Sequence, residues 1–370
     1  MRQWGLAIVV LLLFGAGLAP VALGDDGGRV AVGVVFHDEN RNGIRDPGEE
    51  GIPGVPVSDG VTVVATGPDG SYHLPLGEES EIVFVTIPSG WWTEAFWRRL
   101  DSVMAADFAL YRIPAPESFY FVQVTDIHIR PEVAGAVREF VAHVNSLDPQ
   151  PAFVVATGDI VSNVCNKAFA TIEKVEEAFL LYREAMAGLS VPLFNVIGDN
   201  DCACGLPPDS SWYYKGAYQA LFGPLWYSFD YGDWHFVILD GNSRKPPPWD
   251  SLSEEELAWL EQDLAFQPQG RPIVLFSHEP LFMCQNYRKL LSILKGHNVK
   301  AALAGHWHVT WEKEVGILNI ITGALSGRWW RDDGVHWHGS NIDGSPQGYR
   351  IFLVDGDDFS TEYVPMTTGD

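Results

Sequence analysis

The segment Phe119-Tyr120-Phe121-Val122-Gln123-Val124-Thr125-Asp126-Ile127-His128 decides the fold: an apolar run that stops on an Asp-x-His pair. Its length and β-branched, aromatic content read as a strand buried on both faces, the kind found in parallel sheets. Four more runs end the same way. Ala152 to Thr157 leads into Gly158-Asp159, and Val191 to Ile197 into Gly198-Asp199-Asn200-Asp201. Pro272 to Ser277 stops on His278, and Val299 to Ala304 on Gly305-His306-Trp307-His308. Open α/β sheets place ligand sites beyond the carboxyl ends of parallel strands, so these donors are expected at one edge. Asp126, His128, Asp159, Asp199, His278, His306 and His308 are too many for a single tetrahedral zinc. They suit two cations that share a carboxylate, the arrangement that serves phosphoester hydrolysis.

Helical stretches at Val133 to Leu147, Asn166 to Leu189, Ser253 to Phe266 and Tyr287 to Lys295 fall between the runs. Ser253-Glu254-Glu255-Glu256 has the form of a capping box and predicts a helix start. Trp226 to Asp230 and Trp234 to Asp240, joined at Tyr231-Gly232-Asp233, predict a hairpin. Tyr349 to Asp355 and Ser360 to Val364 predict strands that close a Trp- and Gly-rich segment, residues 326–370. Residues 25–113 differ in texture, with short β-type runs cut by Pro53-Gly54, Asp59-Gly60 and Pro68-Asp69-Gly70. A small all-β sandwich is expected there, ending in the linker Ile113-Pro114-Ala115-Pro116.

Arg2, the apolar stretch Leu6 to Leu18 and the small residues before Gly24 have the form of a secretory signal peptide over residues 1–24. The expectation is an exported protein, periplasmic or extracellular, without a stable span once the leader is removed. A formal charge of −24 disfavours nucleic-acid backbones and anionic membranes as partners. It suits divalent cations. Cys165, Cys202, Cys204 and Cys284 each lie a few residues beyond one of the Asp/His pairs. In an oxidising compartment they are candidates for one or two disulfides at the rim of the site.

A second metal signal stands in the β-rich region. Asp38, Asn40, Asn42, Asp46 and Glu49 occupy positions 1, 3, 5, 9 and 12 of a calcium-type loop, with Gly43 at the turn and the Ile44 carbonyl at position 7. β-runs rather than helices flank it, so a structural calcium is expected. The Trp load, Trp307 and Trp330 in particular, suggests residues lining a substrate or packing between segments.

The five Asp/His motifs, in this order, resemble the calcineurin-like metallophosphoesterases, with their pattern D-x-H, G-D, G-N-H-(D/E), H and G-H-x-H. The resemblance covers about residues 118–325 and implies an α/β fold of two mixed sheets flanked by helices, a four-layer sandwich with the metals between the sheets. It also implies that Asp126, His128 and His308 hold one metal, Asp159 bridges, and Asp199, His278 and His306 hold the other. The cations implied are Mn, Fe, Zn or Mg. Phe222-Gly223-Pro224-Leu225-Trp226 and Asp343-Gly344-Ser345-Pro346-Gln347-Gly348-Tyr349 are similar to one branch, in which an N-terminal β-domain and a small C-terminal one flank the catalytic domain.

One position departs from the pattern. Asp199-Asn200 stands where the family has Asn-His. Asp199 keeps an oxygen ligand, whereas Asn200 replaces the His that resembles a general acid. The reaction implied is in-line attack on phosphorus by a metal-bridging hydroxide, with Asp159, Asn200 and His278 at the catalytic centre. Loss of the acid, which contributes about 10²–10⁴-fold in such reactions, shifts the expectation toward phosphodiesters or activated esters. His336 and His338 in the C-terminal segment are candidates for another proton source. The rival function is a phosphate- or glycan-binding surface protein on a catalytically weakened scaffold.

Overall fold

The computed structural model describes residues 28–100, 104–162, 164–168, 170–242, 251–326 and 344–366. The expected leader, Trp330, His336 and His338 lie outside the described residues.

The N-terminal region carries eight strands, β1 (Val30–His37), β2 (Pro56–Ser58), β3 (Val63–Ala65), β4 (Ser71–Pro75), β5 (Ile82–Val85), β6 (Trp91–Trp92), β7 (Trp97–Arg99) and β8 (Phe108–Arg112). They form two four-stranded sheets, ordered β4-β1-β8-β6 and β3-β2-β5-β7. Alternate side chains from both sheets fill one core: Ala31 and Val35 of β1, Val57 of β2, Leu74 of β4, Val83 and Val85 of β5, Phe108 and Leu110 of β8. This is the sandwich that the short, turn-punctuated runs predict.

The second region opens with β9 (Ser118–Val124), β10 (Val154–Thr157) and β11 (Leu193–Val196), paired in parallel. β12 (Tyr227–Tyr231) and β13 (Trp234–Ile238) make the expected hairpin, and β14 (Pro272–Phe276), β15 (Asn298–Ala304), β16 (Trp311–Val315) and β17 (Ile317–Ile321) extend it into a six-stranded sheet, β12-β13-β14-β15-β17-β16. Helices α1 (Ala134–Ser146), α2 (Ile172–Met186), α3 (Gly216–Phe222), α4 (Glu254–Ala265) and α5 (Tyr287–Ile293) connect the strands. α4 starts on the Ser253/Glu256 capping box, with Ser253 Oγ accepting from Glu256 N at 3.0 Å. The sequence signals did not reveal α3, a helix of only seven residues without a full amphipathic period.

Period-two alternation sorts β9 and β10 between two layers. Phe121, Phe153 and Val155 face the other sheet, while Val122, Val124, Val154 and Ala156 face α1 and α2. Between the sheets the aromatics pack face to face or edge to face, Phe121 on Phe153 at 5.0 Å and Phe194 on Phe229 at 3.7 Å between ring centroids. α4 and α5 cover the outer side of the six-stranded sheet through Trp259, Leu260, Leu264 and Leu290. The result is helix, sheet, sheet, helix.

The last two strands correct the expectation of a separate C-terminal unit. β18 (Gly348–Asp355) pairs antiparallel with β9, and β19 (Asp358–Pro365) pairs with β18, giving the order β11-β10-β9-β18-β19. Phe352 stacks on Phe121 at 4.9 Å, so the C-terminal hairpin completes the catalytic sheet and its core. The expectation failed because strand patterning is local, whereas β18 takes as its partner β9, which lies far earlier in the chain.

Candidate metal centre

Each predicted donor leaves the carboxyl end of its strand and turns into the gap between the sheets. The turns are steep. Among the described residues, Asp126, His128, Asp159, His306 and His308 all have φ between 45° and 69°, five of the eight non-glycine residues with positive φ. Side chains other than glycine's enter this left-handed region at a cost, and it is tolerated where the surroundings fix an active-site geometry. The motif glycines make room. A Cβ on Gly305 would stand 1.9 Å from Thr125 Oγ1 and 2.5 Å from Asp126 Oδ2, and one on Gly198 would stand 2.4 Å from Asp159 Oδ1.

The donors form two groups, Asp126, His128, Asp159 and His308 in one, Asp199, His278 and His306 in the other, each with its ligand atoms within 4.8 Å of one another. In the first group His308 Nε2 lies 3.0 Å from Asp126 Oδ1 and 3.2 Å from His128 Nε2, which is 3.5 Å from Asp159 Oδ2. In the second, Asp199 Oδ1 is 3.4 Å from His278 Nε2 and 3.3 Å from His306 Nδ1. His278 Nε2 also reaches Asp159 Oδ1 at 3.3 Å, so Asp159 presents one oxygen to each group.

Three of these atoms, Asp126 Oδ1, Asp199 Oδ1 and His278 Nε2, are buried and make no hydrogen bond. They approach their neighbours closely, yet none has hydrogen-bond geometry. For metal–ligand distances of about 2.1 Å, ligand atoms around one cation stand roughly 3.0–3.4 Å apart. Most of the observed separations, 3.0–3.5 Å, lie close to that spacing, with His128 Nε2 farther from Asp126 Oδ1 at 3.9 Å; the mixed imidazole and carboxylate set fits a divalent transition metal or magnesium.

Neighbouring groups aim the donors. Asp126 Oδ2 accepts from Thr125 Oγ1 at 2.8 Å and from the His306 amide at 3.0 Å, leaving Oδ1 for the site. His278 Nδ1 lies 2.8 Å from the Thr157 carbonyl oxygen, which fixes Nε2 as the inward atom. Asn200 reaches Asp159 twice, its backbone N–H donating to Oδ1 at 2.9 Å and its Nδ2 to Oδ2 at 2.8 Å. Asp201, fully buried, accepts from Val161 N and Gly198 N and ties the third loop to the second.

Without a cation the cluster is electrostatically self-paired. Burial alone would raise Asp126 and Asp199, but the facing histidines override it and hold both below the usual carboxylate range. Burial would lower His278 and His306; the carboxylates outweigh it, and His306 rises to about 9. His128 is lowered, burial outweighing Asp159. Cation binding therefore displaces protons from imidazoles that otherwise serve as counter-charges. Glu279, next to His278, is also fully buried with neither carboxylate oxygen hydrogen-bonded, and burial pushes it up to about 7. Its only sequence signal was a charged residue closing an apolar run.

The four cysteines do not all join at the rim. Cys165 and Cys204 form one disulfide, while Cys202 and Cys284 stay buried thiols. A tight turn, Cys204 N donating to the Cys202 carbonyl at 2.7 Å, sends the two neighbouring side chains apart. Cys204 faces Cys165; Cys202 points inward to Gly198 O and Asn242. Trp307, between the two histidines, packs against Phe282 and Trp311 at 5.7 Å from each.

In the calcium-type loop, Asp38 takes the Asn42 and Gly43 amides, Asp46 Oδ2 takes the Asn40 and Asn42 side-chain amides, and Glu49 takes the Glu39 and Asp46 amides. The Ile44 N–H is held by Asn42 Oδ1, and the Ile44 side chain is exposed.

The chain is similar to several known proteins. The chain is 26% identical over 219 residues to a protein of Arcobacter nitrofigilis named a probable glycerophosphodiester phosphodiesterase, covering 55% of this chain and 73% of that one. It is 28% identical over 185 residues to a serine/threonine-protein phosphatase of Bos taurus, covering 45% of this chain and 56% of the relative. A dimetal phosphatase structure from Danio rerio aligns over 66% of this chain and 95% of its own, with a TM-score of 0.47 and 15% identity. Residues 39–111 match the family described as the N terminal of calcineurin-like phosphoesterase. Residues 119–310, just over half of the chain and the span that carries all seven donors, match the calcineurin-like phosphoesterase family itself, and to that family of metal-dependent phosphoester hydrolases this chain belongs.

Proposed function

We propose that the protein is an exported phosphodiester hydrolase that works with two divalent cations. Asp126, His128 and His308 hold one cation, Asp199, His278 and His306 the other, and Asp159 lies between them. The observation that carries this reading is the set of buried atoms without hydrogen bonds, Asp126 Oδ1, Asp199 Oδ1 and His278 Nε2, all directed into one gap. Such atoms cost about 1–3 kcal/mol each unless a ligand satisfies them.

When bound, the cations supply an acidified water and neutralise charge on the phosphoryl oxygens. The chain's own residues do the rest. Thr125 and the His306 amide orient Asp126, the Thr157 carbonyl orients His278, and Asn200 fixes both oxygens of Asp159. A neutral amide is far too weak an acid to protonate a departing alkoxide. This supports diesters and esters with stabilised leaving groups over simple alkyl monoesters. The similarity to a probable glycerophosphodiester phosphodiesterase points the same way.

Export is supported by the form of residues 1–24 and by the Cys165–Cys204 disulfide, which suits an oxidising compartment. A structural calcium in the 38–49 loop is a separate part of the reading. Its support is the six-position spacing and the convergence of Asp38, Asn40, Asn42 and Asp46.

The test loads metal-free protein with Mn, Zn or Mg, counts bound metal, and follows bis-p-nitrophenyl phosphate against p-nitrophenyl phosphate. Two equivalents of metal and faster diester hydrolysis are expected. Bound metal without turnover of either ester would favour the phosphate-binding alternative, and no bound metal would refute both.

A further inference from the structure

The two domains meet along β12 and α4. Gln262 accepts from Val63 N and donates to the Val61 carbonyl, Trp226 Nε1 donates to the Gly60 carbonyl at 2.9 Å, and Thr86 Oγ1 lies 2.9 Å from Ser228 Oγ. Beside these contacts the surfaces part to leave a cleft of ≈ 920 Å³, with loops of the sandwich on one wall and the α3 region of the catalytic domain on the other. Small-ligand sites favour such domain boundaries and fall in this size range.

Hydrogen bonds tie the walls together. Asp59 accepts from the Val61, Thr62 and Gly77 amides, pinning the β2–β3 and β4–β5 loops together. Trp226 is fixed by its bond to Gly60 and packs its ring on that glycine. Across from this wall stands Trp212, half-buried. Neither the Trp212 indole N–H nor the Gln219 side-chain amide makes a hydrogen bond to the described residues. Arg99, paired with Glu81, and the carboxylates of Glu79 and Glu255 also reach the cleft.

We propose that this interdomain cleft is a binding site for a neutral saccharide, distinct from the metal centre and independent of its reaction. Each sugar hydroxyl both donates and accepts, so its site needs donors and acceptors side by side. Here the Trp212 N–H, Gln219 and Arg99 donate, and the carboxylates accept. The apolar face of a pyranose needs a flat, poorly hydrated wall, and Trp212 and Trp226 both line the cleft. A purely cationic ligand would use the carboxylates but leave the Trp212 indole N–H without an acceptor. The role that follows is attachment of an exported hydrolase to a glycan surface.

The test is calorimetric titration of full-length, metal-loaded protein with maltoheptaose, cellohexaose, xylohexaose and chitohexaose, with spermine as the cationic arm. At least one saccharide should bind at millimolar concentration or below. Trp212→Ala should weaken it about tenfold and Gln219→Ala to a smaller extent, from the loss of one stacking face or one hydrogen-bonding group. Hydrolysis of bis-p-nitrophenyl phosphate should not change in either variant, which also reports that both fold. Heat from none of the four saccharides overturns the proposal. So does saccharide binding that neither substitution weakens, or binding of spermine alone. A failure of hydrolysis in the parent protein touches the phosphoesterase reading and leaves this result standing.

Discussion

Asn200→Ala separates the two things an amide at this position can be, a missing acid or a working clamp. The substitution removes the Nδ2 bond to Asp159 Oδ2 at 2.8 Å and keeps the backbone bond to Oδ1 at 2.9 Å. The acceptor is a carboxylate of which only 2% is exposed, so the lost bond is of the charge-assisted kind, worth about 1.5–3 kcal/mol. Asp159 is the group shared by the two donor sets, and that energy falls on cation affinity. At 1.4 kcal/mol per decade the loss is about 10- to 100-fold, in the range found when groups orienting a metal ligand are removed. The assay is competition of metal-free protein against a chromophoric chelator for Zn or Mn, with circular dichroism to show an intact fold. Asn200→His is the companion. It supplies a proton donor and should raise hydrolysis of alkyl esters by about 10²-fold or more while leaving activated diesters little changed. Cation affinities within twofold of the parent in Asn200→Ala would refute the clamp, and the mechanism built on it.

Three further outcomes follow from other parts of the fold. His235 is fully buried between Asp230 at 2.7 Å and Asp263 at 2.8 Å; burial disfavours its charge, but the two carboxylates prevail and lift it to about 9. A folded-state pKa above the unfolded value stabilises fully below about pH 6.5 and fades as pH rises through 9. Thermal denaturation should therefore lose about 3 kcal/mol of stability between pH 6.5 and 9.5, and His235→Gln should flatten that slope; an unchanged slope contradicts the assignment. Reduction of Cys165–Cys204, or Cys165→Ser, opens a loop with a sequence separation of 39 and should lower urea stability by up to about 4 kcal/mol, with no change meaning that the bridge constrains nothing. Calcium at millimolar level should raise the melting temperature and protease resistance of the N-terminal domain, and Asp38→Ala should abolish the gain. Protection that survives Asp38→Ala would place the ion elsewhere.

Much of the catalytic domain was legible because its signals are local. An apolar run followed by Asp or His reports both a buried strand and what stands at its end, and the structure gathers all seven donors where the five runs stop. The Ser253/Glu256 box marked its helix to the residue. Asn200 was legible as a substitution, but its partner was not: Asp159 is 41 residues away, and only the approach of β10 and β11 brings the amide to it.

The sequence alone determined the order of the ligand-bearing strand ends, the sandwich ahead of them and the departure at Asn200, since each rests on spacing along one stretch of chain. The tertiary structure decided which cysteines meet, that the C-terminal hairpin completes the catalytic sheet, and that a cleft opens between the domains. These depend on distances between segments far apart in the chain, which packing sets and residue patterns do not encode locally. The left-handed backbone at five of the donors belongs with them. Asp and His enter this region more readily than most side chains, but that preference does not place these five there; the surrounding contacts hold them in it.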